Sequence, residues 1–78
     1  MDQSQRFLVA GDAATLIEAA GFTAVARLKD GIVTIEFWGP GGGLRRVIHE
    51  DAPNAENIAD ECIAALGGPK PPPRGELS

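Results

Sequence analysis

Between Phe22 and Trp38, apolar and polar positions alternate in two runs that meet at Asp30-Gly31. Alternation of this kind marks strands buried on one side. Asp-Gly is a preferred pair for a two-residue hairpin turn, because both turn positions need a positive φ. Centring the turn there predicts Leu28 opposite Val33, Ala26 opposite Ile35 and Ala24 opposite Phe37. All six are apolar and share one side, and a slip of one residue would scatter them. On the second side Arg27 and Glu36 come together diagonally as an ion pair.

The flanking segments carry weaker patterns. Residues 1–6 are polar and predict a flexible N-terminus, and Phe7-Leu8-Val9-Ala10 reads as a short extra strand or a lead-in closed by Gly11. Asp12 is placed to cap a short helix over Ala13–Ala20, with Leu16, Ile17 and Ala20 on one side and Gly21 as its left-handed stop. After the hairpin, Gly39-Pro40-Gly41-Gly42-Gly43 predicts a loop of five residues. Leu44–His49 resumes a strand, with Leu44 expected by Trp38, Arg46 by Glu36, Val47 by Ile35 and Ile48 by Thr34. That register leaves Arg45 and His49 at the core face.

Pro53 or Asn54 opens a second helix, in which Ala55, Ile58, Ala59, Cys62, Ile63 and Leu66 recur at helical spacing. Gly67-Gly68 and Pro69 end it. The expected fold is α+β: a three-stranded antiparallel meander with two helices in the order α-β-β-β-α. It occupies a single compact domain over residues 7–68, and residues 69–78, with four of the six prolines, form an extended tail.

Composition narrows the function classes. The chain has 78 residues and 44% hydrophobic content, enough for one small core. No apolar run approaches the ~20 residues needed to cross a bilayer and no signal-peptide pattern is present, so no membrane partner and a cytoplasmic location are expected. A net charge of −4 argues against direct binding of nucleic acid by phosphate neutralisation. Cys62 is the only cysteine, which excludes an internal disulfide and a Cys-rich metal site.

Residues able to carry catalysis are scarce. His49 is the only histidine, and Cys62 lies on an apolar helical stripe where a free thiol acts as a small hydrophobe. His49-Glu50-Asp51 cannot converge on one ion from an extended strand. The glycine loop lacks the following helix and lysine of a phosphate loop. No enzyme activity, metal or cofactor is therefore expected. Pro69-Lys70-Pro71-Pro72-Pro73-Arg74 fits the P-x-x-P-x-R pattern read by SH3 domains.

Charge distribution carries the functional expectation. From Val47 to Pro69 there are five acids, Glu50, Asp51, Glu56, Asp60 and Glu61, and no Lys or Arg. Glu56 and Asp60 are four apart and repel mildly on one helix face. A partner with a basic surface would relieve that repulsion. Arg27, Lys29, Arg45 and Arg46 gather on the sheet with Trp38 nearby, a weaker sign of single-strand stacking. Trp38, Leu44 and Ile48, expected on the second sheet face with Val25 and Ile32, form a candidate association patch if both helices cover the other face. Together with Cys62 they predict an alternative role, a homodimer that buries this patch.

The α-β-β-β-α order, with Ala59, Cys62, Ala65 and Leu66 in the last helix, resembles a double-stranded-RNA-binding domain in topology. That family's basic cluster is replaced here by Asn54, Ala55, Glu56 and Asn57, which speaks against RNA. In size, charge and the Glu56/Asp60/Glu61 face the chain is similar to the small acidic phage inhibitors of the anti-CRISPR type. That resemblance implies a nucleic-acid mimic occupying a basic channel. The expected function is a non-enzymatic protein-binding module whose acidic helix occludes a basic, nucleic-acid-binding surface of a partner.

Overall fold

A computed structural model of the chain describes residues 2–68. Helix α1 (Gln3–Ala19) is followed by strands β1 (Thr23–Lys29), β2 (Ile32–Gly39) and β3 (Gly42–Ile48), and then by helix α2 (Ala55–Ala65). The strands form one antiparallel sheet in the order β1-β2-β3. This is the expected α-β-β-β-α order of an α+β fold. The Pro-rich segment and its SH3-like pattern lie outside the described residues.

The first hairpin has the expected register, including Leu28 opposite Val33 and Ala24 opposite Phe37. Asp30 and Gly31 take φ of 55° and 78°, the mirror-type turn that matches the twist of paired strands. Arg27 Nε donates to Glu36 Oε1 at 2.8 Å on the outer side.

Helix α1 corrects the reading of the N-terminus. It begins at Gln3, so residues 3–6 are helical, Phe7–Ala10 is no strand, and Asp12 lies inside the helix. The cap is Asp2, whose carboxylate accepts from the backbone N–H of Gln5 at 2.9 Å. Ala10, Ala13, Ala14 and Ile17 form the buried stripe, which runs past Gly11. A glycine within a helix costs about 1 kcal/mol against alanine, and contacts on both sides of Gly11 outweigh that. Gly21, at φ 99°, closes the helix as expected. The N–H groups of Gly21 and Phe22 reach back to the carbonyls of Glu18 and Ile17.

The second hairpin is also corrected, by one residue. Ile48 pairs with Val33, Arg46 with Ile35, Arg45 with Glu36 and Leu44 with Phe37, while Gly39 pairs with Gly42. The five-residue loop thus shrinks to a turn at Pro40-Gly41. Proline cannot take a positive φ, which excludes the mirror-type turn used by the first hairpin. The unusual conformation passes instead to Gly42, at φ 126°. The shift carries Ile48 into the core, where it is 1% exposed, and moves Arg45 to the outer face.

Helix α2 is capped by Asn54, which accepts from the N–H of Asn57 at 2.9 Å. Gly67 and Gly68 close it with bonds to the carbonyls of Ala64 and Ile63. Ile58, Ala59, Cys62 and Ile63 are its buried residues and join those of α1 over Ala24, Val33, Ile35, Phe37 and Ile48. Every buried sheet residue is on the Ile35 side. Both helices therefore cover one face, and no described residue covers the other.

Candidate interaction surfaces

The exposed acids of α2 lie on one face, and three cations of the sheet, Arg27, Lys29 and Arg45, lie on the other. On the helical side, Glu56 and Asp60 stand exposed on the edge of α2 nearest α1. They line a shallow groove of about 300 Å³ with Leu16, Ala59 and Ile63. Neither carboxylate makes an ion pair among the described residues. Glu61 is different. Five positions on from Glu56, it lies about 140° further round the helix, and it meets the Arg46 guanidinium on the core side of β3. Glu50 and Asp51 are exposed in the connection before α2. The structure thus joins Glu56 to Asp60 but turns Glu61 away to a partner of its own.

The opposite surface is the outer face of the sheet. Val25, Ile32, Trp38 and Val47 are 38, 54, 39 and 42% exposed there. The candidate patch changes its members accordingly. Ile48 is in the core; Leu44 points to the helical side at the sheet edge, and Val47 replaces them. Cys62 is 1% exposed among core residues and cannot meet a second thiol at a dimer axis. Burial pushes its thiol above the ordinary 9.0; the charge of Arg46 pulls it down by less, and that of Glu61 adds to the rise.

Trp38 is held by its neighbour across the strands. It pairs with Gly43, and a Cβ at Gly43 would stand 2.5 Å from Trp38 Cδ1. The indole therefore lies across bare backbone, and only the missing side chain makes room for it. Arg27, Lys29 and Arg45 surround this apolar surface, with Glu36 as the one acid within the strands' outer side. A concavity of about 520 Å³ opens among Arg27, Lys29, Asp30, Ile32, Thr34, Glu36 and Arg45, so that two acids stand among its three cations.

Sequence reasoning placed Trp38, Val25 and Ile32 together on this face but missed Val47 and Arg45, because both depend on the register of β3. Among the described residues no group of three or more His, Cys, Asp or Glu is arranged to hold a metal ion. No described helix is long and apolar enough to cross a membrane. Against known protein families, curated proteins and solved structures, the chain finds no match.

Proposed function

We propose that the chain is a non-enzymatic protein-binding module that occludes a basic surface of a partner through the acidic edge of α2. The observation that carries this reading is the exposed pair Glu56 and Asp60, which share one edge of the helix with no basic residue against them among the described residues. Like charges four apart destabilise a helix by about 0.2–0.5 kcal/mol, and lysines or arginines of a partner relieve that repulsion. Leu16 and Ile63 supply apolar contact beside them. Glu50 and Asp51 extend the acidic edge, while Glu61 contributes less because Arg46 already meets it.

The action is steric and electrostatic. Charge steers the encounter, and binding weakens as salt rises. A groove that otherwise holds nucleic acid has the matching chemistry, and the similarity to anti-CRISPR-type phage inhibitors makes a nucleic-acid channel of that kind the first partner to test. Affinity capture from native cell extract on the wild-type chain and on an E56K/D60K variant, eluted with rising salt, tests the reading. A basic nucleic-acid-binding protein should be retained by the first and lost from the second, whose circular dichroism stays unchanged. Equal retention by both chains refutes it.

A further inference from the structure

We propose that the uncovered face of the sheet binds an acidic amphipathic helix of another protein. The dimensions of the face fit one helix. From Thr23 to Lys29 the strands run for about 20 Å, and β1 and β3 lie about 10 Å apart on either side of β2. A helix is about 10 Å wide and covers 20 Å with about 14 residues.

Chemistry selects the sequence class of that helix. On the middle strand Ile32 and Trp38 lie towards the two ends with Thr34 and Glu36 between them, and Val25 and Val47 stand on the flanking strands, all four hydrophobic residues partly exposed. An apolar helix stripe laid along β2 would cover them. The cations without an ion-pair partner among the described residues stand at the margins, Lys29 on β1 and Arg45 on β3, where carboxylates flanking such a stripe would meet them. Arg27, beside them on β1, already donates to Glu36 at 2.8 Å, and Asp30 stands in the turn next to Lys29. Trp38, set against Gly43, offers a fixed aromatic surface that loses little freedom on binding.

The same charges weigh against two other occupants. A second copy docked face to face would bring two faces of the same net positive sign together. Nucleic acid would find one aromatic and three aliphatic side chains to stack on, and few cations on a chain of net charge −4.

The test is a ¹H–¹⁵N and methyl NMR titration of the full chain at 50 mM salt. The probes are two synthetic helical peptides of about 14 residues with one identical Leu/Ile stripe, flanked in one by Glu and in the other by Lys. The Glu peptide should shift Val25, Ile32, Val47 and the Trp38 indole, and should bind about tenfold more weakly to a K29E/R45E variant. The Lys peptide should bind wild type at least tenfold more weakly than the Glu peptide. The proposal is overturned by the absence of shifts with the Glu peptide, by equal or tighter binding of the Lys peptide, or by shifts confined to α1 and α2. It is equally overturned if simple concentration of the chain reproduces the shifts, or if a thymidine decamer binds this face more tightly than the Glu peptide.

Discussion

Replacing Gly43 with alanine should destabilise the domain by acting on one side chain across the sheet. The new methyl carbon would stand 2.5 Å from Trp38 Cδ1 and closer still to Nε1, well inside van der Waals contact. The indole must therefore leave its place. Gly43 does not have a positive φ, so alanine itself adds no backbone strain and recovers about 0.5–1 kcal/mol through lower unfolded-state entropy. Against that gain, a side chain turned about 30° from its rotamer costs about 0.5–1.5 kcal/mol. Exposing a further ~40 Å² of indole costs about 1 kcal/mol at 25 cal/mol/Å². The net loss is about 1 kcal/mol, which in a domain of this size lowers Tm by about 4–8 °C. Thermal unfolding followed by circular dichroism reads the loss, and Trp38 emission, the only tryptophan signal, should move to longer wavelength. Adding W38A should abolish the penalty of G43A, leaving alanine neutral or favourable. A G43A variant that is more stable, with unchanged emission, refutes the placement of the indole over Gly43.

Three further outcomes follow from the packing. Ile48→Ala should cost about 2–5 kcal/mol and Val47→Ala less than about 1 kcal/mol by urea denaturation; the reverse order would restore the register shifted by one residue. Arg46 and Glu61 are both partly exposed, so a double-mutant cycle with alanine should give a coupling of about 0.2–1 kcal/mol that shrinks in 1 M salt; zero coupling at low salt denies the pair. Cys62 should react with a thiol reagent at pH 8 only as fast as the domain opens, and rapid reaction in native buffer contradicts its burial. Because its folded pKa is raised, the unfolded thiol loses its proton first. Its contribution to stability is therefore constant below about pH 9 and is lost as pH rises further, an effect that Cys62→Ala should remove.

Legibility in the sequence varied with how many independent signals met at each element. The first hairpin carried two, turn chemistry at Asp30-Gly31 and paired apolar rows, and both select one register. The second hairpin carried neither. Five consecutive Gly or Pro positions admit several turns, and Leu44-Arg45-Arg46-Val47-Ile48 satisfies two registers about equally. What decides between them is tertiary: Ile48 fills the core beside Val33, and Arg46 reaches Glu61 on α2. At the N-terminus a readable signal was overridden. Asp2-x-x-Gln5 has the spacing of a capping box, but Gly11 and the apolar run before it suggested a break. Ala10 belongs to the same stripe as Ala13, Ala14 and Ile17, and packing of that stripe carries the helix through the glycine.

The interaction surfaces inherit these differences. The acids of α2 were visible as a cluster, yet their division around the helix was not, since Glu61 turns aside only because β3 places Arg46 beside it. Val25, Ile32 and Trp38 were legible from alternation alone. Val47 and Arg45 became visible only with the corrected strand, and with them the positive sign of the outer sheet face. Cys62 was read both as core and as a dimer contact, and its burial among α2, α1 and sheet residues leaves only the first.

The two interaction surfaces rest on a sheet covered by helices on one face alone. Methyl NMR with a soluble gadolinium chelate measures that arrangement directly. The methyls of Val25, Ile32 and Val47 should broaden strongly, while those of Val33, Ile35 and Ile48 stay sharp. Protected Val25 and Val47 methyls, or an Ile48 methyl broadened as strongly as Ile32, would contradict the one-sided sheet and with it both surfaces.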